Sequence, residues 1–255
     1  MVRRDVMSLF RRLGDRIGNG LQELTMTTNG TQLAKHAETL YAAGVRRVNV
    51  SLDTLDPDRF ADLTRGGDVL EVLAGIESAR NAGLEPVKLN AVLRASSFQA
   101  DVPALLDLAA RDSLEVRFIE LMRTGTGAAW AACEYVPISE VRAWVGKRVA
   151  VEPVMTGPPG SPARRTRVTW KGRDVVVGWI SPVSHAFCAG CSRLRLDARG
   201  QLRRCLMDPA VLPLEGLVDG GDDETRLVQA VATYLNLKRP PAVMATHVPM
   251  ISIGG

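Results

Sequence analysis

Cysteine is scarce in this chain, with four in 255 residues, too few to build a disulfide scaffold at this length. No apolar run reaches membrane-spanning length, which excludes a membrane partner. The opening MVRRDVMSLFRRLGDR is charged within three residues and lacks the uninterrupted apolar core of a signal peptide. Together these absences point to the reducing cytoplasm, where clustered thiols mean metal more often than disulfide. Basic residues occur in short scattered pairs, at Arg3-Arg4, Arg46-Arg47, Arg164-Arg165 and Arg203-Arg204. None builds the aromatic-interleaved basic run that grips single strands, so nucleic acid is not an expected partner. The balance of 32 basic against 28 acidic residues, net +4, suits an anionic small molecule. There is no internal repeat and no low-complexity block.

What is present is enough apolar residue, 46%, for one barrel-sized domain or two smaller ones. Val2, Val6, Leu9, Phe10 and Leu13 fall at helical spacing and predict an N-terminal amphipathic helix. Strands and helices then alternate. LQELTM, RRVNVSL, PVKLNAVL and LEVRFIE read as strands. Gln32 to Ala43, DPDRFADLTR, VLEVLAGIESARNAG and DVPALLDLAARD read as helices. This alternation predicts right-handed βαβ units and a parallel sheet, and the Val/Leu-rich strands suggest burial on both faces. Four strands alone would leave a long parallel edge exposed. The pattern breaks at the small-residue loop TGTGAAW (124–130). A short helix from Ile138 to Val145 follows, then an antiparallel region of RVAVEPV, TRVTW and DVVVGWI, the cysteine stretch, and a late helix from Glu224 to Leu237.

The cysteine stretch is FCAGCSRLRLDARGQLRRC, residues 187–205. Cys188 and Cys191 form a Cys-x-x-Cys knuckle. RLRLD and QLRRC read as two strands joined by the turn DARG, which returns Cys205 toward the knuckle. On a strand Arg193 and Arg195 share one side while Leu194 and Leu196 face the core. The result is a three-thiolate centre with two guanidinium groups beside it. Spacing leaves the metal open. Zinc would take a fourth ligand, and His185 is near enough in sequence to supply it. A four-iron cluster on three cysteines would leave one iron free for another ligand. Cys133, in WAACEY, has no partner spacing and reads as a semi-buried thiol; His36 and His247 sit in no motif.

FCAGCSRLRL…G…CL resembles the C-terminal cluster motif of the GTP 3',8-cyclases, radical S-adenosylmethionine enzymes of molybdenum cofactor biosynthesis. LTMTTNGTQLAKHAETLYAAGVRRVNVSLDTLDP resembles that family's third and fourth barrel strands, VKLNAVL its fifth, EVRFIELM its sixth, and the terminal IGG its usual ending. The resemblance covers essentially the whole chain. It implies an α/β fold: a partial (βα)6 TIM-like barrel over residues 1–125 with its first strands missing, and a smaller α+β C-terminal region over 126–255. It implies that Cys188, Cys191 and Cys205 ligate a [4Fe-4S] cluster whose open iron receives the guanine of GTP. Arg193, Leu194, Arg195, Thr27 and Lys88 would bind GTP, Ser51 and Met122 would contact S-adenosylmethionine, and Gly254 and Gly255 would form a tail that supports catalysis. Thr27, Ser51, Lys88 and Met122 are expected at or just past the C-terminal ends of successive strands, the face where barrels build their sites. Singly, Thr27 and Ser51 read as turn formers, Met122 as core and Lys88 as surface; the joint pattern overrides these readings. In the complete family enzyme, S-adenosylmethionine and a second [4Fe-4S] cluster start radical chemistry that joins C3' of the ribose to C8 of guanine. Homodimers are common in the family, and the resemblance implies cyclic pyranopterin monophosphate synthase as the downstream pathway partner.

The chain departs from the family at its start. The Cys-x-x-x-Cys-x-x-Cys loop and the Gly-Gly-Glu-Pro segment are absent, and MVRRDV resembles the residues that follow the latter. The expectation is a sequence that begins mid-barrel, by a misplaced gene start, a truncation or degeneration of a paralogue. Such a chain keeps the GTP and C-terminal-cluster half of the site and lacks the initiating half. The other readings are a non-catalytic GTP- and cluster-binding paralogue, and a zinc-stabilised three-cysteine protein without a redox role.

Overall fold

The computed structural model describes residues 4–122, 128–155, 161–188, 191–218 and 224–238. Its elements run α1 (Val6–Gly14), β1 (Leu24–Thr28), α2 (Leu33–Ala42), β2 (Val45–Ser51), α3 (Pro57–Thr64), α4 (Val69–Asn81), β3 (Val87–Leu93), α5 (Phe98–Asp112) and β4 (Glu115–Glu120). They continue with α6 (Ala128–Cys133), α7 (Ile138–Gly146), β5 (Arg164–Trp170), β6 (Arg173–Ile180), β7 (Arg195–Leu196), β8 (Gln201–Arg203), β9 (Leu212–Pro213) and α8 (Glu224–Asn236). Side-chain chemistry starts the helices. Asp56 caps α3, its carboxylate accepting the Arg59 N–H at 2.9 Å, and Pro57 sits in the first turn where no donor is needed. Asp68 caps α4 in the same way through the Leu70 N–H at 2.8 Å. Two expectations shift. The short helix Ala128–Cys133 takes in the last three residues of the expected loop, 128–130, and RVAVEPV makes only isolated bridges, Val151 with Val168 and Met155 with Arg165.

The chain divides into two compact units. The first comprises residues 1–120, 136–157 and 162–184, the second 121–135, 158–161 and 185–255. The first unit holds a six-stranded sheet in the order β1-β2-β3-β4-β6-β5, parallel throughout except for β5, which runs antiparallel to β6. The second unit holds the antiparallel β7-β8-β9 sheet and α8. Among the described residues no helix is long and apolar enough to cross a membrane.

Burial along the central strands alternates with period two, so the sheet is not covered equally on both faces. Val48, Val50, Leu89, Ala91, Val116 and Phe118 lie on one side and form one core with Leu33 and Leu40 of α2, Val72 and Ile76 of α4, and Leu105 and Leu106 of α5. Each such side chain is worth about 1.5–3 kcal/mol when fully buried. The intervening positions, Asn49, Ser51, Lys88, Asn90, Glu115 and Arg117, are polar. The helices therefore stabilise one face and leave the other free to carry chemistry.

One carboxylate ties three distant segments to the covered side. Glu120, the last residue of β4, is only 1% exposed. It accepts the N–H of Ile138 at 3.0 Å at the start of α7, the N–H groups of Val183 and Ser184 at 2.9 Å each after β6, and the Ser184 hydroxyl. The start of α7 also favours a negative charge through its helix dipole. Replacing Glu120 with Ala strands three backbone donors, and a loss of about 3–5 kcal/mol is expected in urea unfolding. A loss below about 1 kcal/mol, the size of one ordinary hydrogen bond, would contradict this role.

Candidate functional site

The register of the parallel strands assembles two polar rows on the open face. Thr27 on β1 partners Asn49 on β2, Asn49 partners Lys88 on β3, and Lys88 partners Glu115 on β4. Two residues further along, Ser51, Asn90 and Arg117 are partners, followed by Gly178 on β6 and Arg165 on β5. Side chains two residues apart on a strand share a face, so both rows point the same way. Asn49 Nδ2 donates to Thr27 Oγ1 at 3.3 Å.

Three of the sequence-named residues thus meet on one surface: Thr27, Ser51 and Lys88. Thr27 and Ser51 stand near the C-terminal ends of their strands, and Met122, partly exposed, lies two residues beyond β4. Lys88 departs from expectation, because it is the second residue of β3 and lies at that strand's N-terminal end. The cause is stagger. β3 begins beside the C-terminal half of β2, so the start of one strand adjoins the end of its neighbour.

Glu115 is the electrostatic centre of this face. It is buried and shared by three cations. Arg117 Nε donates to Oε1 at 2.8 Å, while Lys88 Nζ and Arg165 Nη2 lie 3.4 and 3.3 Å from Oε2. Burial raises the Glu115 carboxyl, but the Arg117 hydrogen bond and the charges of Arg117, Lys88 and Arg165 outweigh it and leave it below the ordinary value. Lys88 is also lowered, by burial first, and the attraction of Glu115 is opposed by the charges of Arg117 and Arg47. Both directions follow from one carboxylate divided among three cations, which leaves Lys88 under-neutralised. Gly178 makes room for the arrangement, since a Cβ there would stand 2.9 Å from Arg117 Cγ. Asn90 Oδ1 and Arg165 Nε are buried without a hydrogen-bond partner, so this face retains capacity for a polar ligand beside Ser51 and Lys88. Asn90, Glu115, Arg117 and Arg165 were not singled out from sequence. Their signal was the polar residue at every second position of VKLN and EVR.

In the second unit the three cysteines of the motif are free, and each is partly exposed. The Cys191 N–H donates to the Cys188 carbonyl at 3.1 Å, and Cys205 Sγ accepts the Met207 N–H at 3.4 Å. The expected hairpin forms. β7 and β8 pair antiparallel, and the turn closes through the Gly200 N–H to the Asp197 carbonyl at 3.1 Å, with Gly200 at φ 73°. Its facing is the reverse of that read from sequence. Leu194 and Leu196 are 39% and 61% exposed, while Arg193 and Arg195 are half-buried. The arginine side is the inward one because those guanidinium groups lie toward the thiols. Arg193 stacks on Phe187 at 4.8 Å, and the charges of Cys205 and Cys191 act on Arg195. Arg195 is nevertheless lowered, by burial first and then by the charge of Arg193.

Lys238 Nζ, just past α8, donates to the Arg193 carbonyl at 2.8 Å and lies 3.5 Å from Cys191 Sγ. Burial raises the Cys191 thiol, but the backbone, charge and side chain of Arg193 and the charge of Lys238 hold it below the ordinary value. Among the described residues no three Cys, His, Asp or Glu side chains are gathered as a metal-ligand group. The donor chemistry fits a soft metal centre all the same, with thiols only, one of them favoured as thiolate, and cations beside it. His185 is exposed and His36 partly exposed, and Cys133 is exposed rather than semi-buried. Gly254, Gly255 and His247 lie outside the described residues.

Residues 1–109 match the family model of the radical SAM superfamily, and residues 114–244 match that of Molybdenum Cofactor Synthesis C. Curated relatives include the GTP 3',8-cyclase of Rhizobium leguminosarum bv. trifolii, 40% identical over 93% of this chain and 67% of the relative. That of Rhizobium etli strain CIAT 652 is 41% identical over the same shares. That of Moorella thermoacetica is 39% identical over 93% of this chain and 72% of the relative. The chain spans about two thirds of the length of such relatives. The matches run through both the polar sheet and the three-cysteine hairpin, and the chain belongs to the GTP 3',8-cyclase family.

Proposed function

We propose that this chain is a GTP 3',8-cyclase of molybdenum cofactor biosynthesis, a lyase of the radical SAM class that converts GTP to 3',8-cyclo-7,8-dihydro-GTP. The observation that carries this reading is the shared polar sheet face of Thr27, Ser51 and Lys88, with more cations than the buried Glu115 can neutralise. The stagger of β2 and β3 supports reading the sheet as part of a (βα)6 barrel, because closing a barrel requires such an offset. In this reading residues 1–125 are the partial barrel, and residues 126–255 the cluster- and GTP-binding region with its Gly254-Gly255 tail.

The roles follow from residue chemistry. Lys88 offers a compact positive charge to a phosphate. Arg193 and Arg195 offer planar forks of donors to phosphate oxygens, and Leu194, whose side chain faces the other way, can meet the nucleotide through its backbone. Thr27 Oγ1, already accepting from Asn49, can turn its own hydrogen toward GTP. Ser51 and Met122 are the contacts for S-adenosylmethionine, and the orphan Asn90 oxygen beside Ser51 is a ready acceptor there. Cys188, Cys191 and Cys205 are the ligands for a [4Fe-4S] cluster, with Arg193 and Lys238 stabilising Cys191 as thiolate. Bound S-adenosylmethionine and clusters supply the radical chemistry; these residues bind, orient and shield the nucleotide. The same reading gives a cytoplasmic enzyme, a homodimer in common with its family, and cyclic pyranopterin monophosphate synthase as the next enzyme of the pathway.

Anaerobic metal analysis tests the cluster. Reconstituted protein is expected to hold about four iron atoms per chain at these cysteines, and Cys191→Ala to lose them; stoichiometric zinc in place of iron would overturn the assignment. Equilibrium dialysis with GTP tests the substrate. Lys88→Ala, Arg193→Ala and Arg195→Ala are each expected to weaken binding about tenfold, the scale of one charge-assisted hydrogen bond. Unchanged affinity in all three would sink the nucleotide reading.

A further inference from the structure

Arg203 closes β8, and its partner across the hairpin is Arg195. Directly paired residues of an antiparallel ladder leave the sheet on the same side, and like charges placed so destabilise the pairing unless an anion lies beside them. Arg203 is 9% exposed, more buried than any other described arginine, and its Nε has no hydrogen-bond partner. Its neighbour Arg204 also has one buried nitrogen, Nη1, without a partner, but it differs in having a counter-charge. Arg204 is ion-paired to Asp208 at 2.7 Å and lies 5.0 Å from the Tyr234 ring. Arg203 has no ion pair among the described residues. Its charge reaches Asp197 and Asp208, but both are engaged elsewhere, Asp208 by Arg204 and Asp197 by the N–H groups of Arg199 and Gln201 at 2.9 and 3.0 Å. Arg193 continues the buried side of the hairpin, and its Nε and Nη2 are likewise buried without partners. A buried guanidinium that keeps its charge requires an anion, and among the described residues no carboxylate is left free for it.

We propose that Arg203 is a phosphate-binding residue, which joins Arg193 and Arg195 in a three-guanidinium site for the polyphosphate of a nucleotide. This rests on the GTP reading above and adds a residue and a ligand class to it. The site is selective for the number of phosphates rather than for the base, because each added phosphate group brings further oxygens to donors that are otherwise unpaired. Arg204, already neutralised, takes no part.

The test uses the full chain, reconstituted anaerobically with iron and sulfide, and three probes: GTP, guanosine and inorganic tripolyphosphate. Arg203→Gln is expected to bind GTP and tripolyphosphate about tenfold more weakly, to bind guanosine as the parent does and to retain its iron; Arg204→Gln leaves all three affinities unchanged. Undiminished GTP binding by Arg203→Gln, an equal loss for guanosine, or loss of iron would overturn the proposal, the last by assigning Arg203 to the cluster instead. Should Arg203→Gln fold poorly, Arg203→Lys decides through the series GTP, GDP and GMP. A deficit that shrinks with each phosphate removed supports the role, and a uniform deficit refutes it. Parent protein that binds tripolyphosphate but not GTP would overturn the nucleotide reading, while loss of tripolyphosphate binding in Arg203→Gln would still uphold the phosphate role.

Discussion

A charge held away from water must have a counter-charge, and at two places among the described residues, one in each unit, cations outnumber the carboxylates placed to meet them. In the first unit Lys88, Arg117 and Arg165 divide the single carboxylate of Glu115. In the second, Arg193, Arg195 and Arg203 occupy the buried side of a hairpin without an ion pair among the described residues. Leaving charge unmatched costs stability. The deficit is tolerable because the helix-covered side of the sheet is so thoroughly apolar, with Val48, Val50, Leu89, Val116 and Phe118 wholly shielded. The apolar core is concentrated on one face and the polar and charged side chains on the other.

Strand register turns that division into a site. The partners Thr27, Asn49, Lys88 and Glu115 come from four strands that sequence separates widely, and only parallel pairing brings them into one row. The next row adds Ser51, Asn90, Arg117 and Arg165, with Gly178 as the gap that admits the Arg117 side chain. Glu120, one residue beyond Ile119 and three beyond the open-face Arg117, points to the covered side and becomes a fastener rather than a ligand. The alternation of a single strand, EVRFIE, therefore separates an anion-site carboxylate from a structural one.

Much of this was legible in the sequence because its causes are local. Asp-Pro starts α3, period-two and helical spacings give the parallel alternation, and DARG closes the cysteine hairpin. The errors have equally specific causes. Val/Leu-rich strands suggested burial on both faces, whereas the polar residues between them form a face of their own. RLRL was oriented by hydrophobicity, yet the arginines turn inward, because their neighbours are thiols and an aromatic ring rather than an apolar core. Lys88 was placed at the wrong end of its strand since stagger depends on pairing, which no single strand reveals. Glu120 could not be read as a clasp, because its donors lie 18, 63 and 64 residues away.

We propose that the unmatched cations hold the phosphates of GTP. The most direct test is calorimetric titration of GTP into the cluster-loaded full chain as salt is raised from about 50 mM to about 200 mM, a range over which the attraction between a cationic site and an incoming polyphosphate is increasingly screened. Tight binding at low salt that weakens several-fold across this range is expected. Binding that is indifferent to salt, or no binding at all, would contradict it.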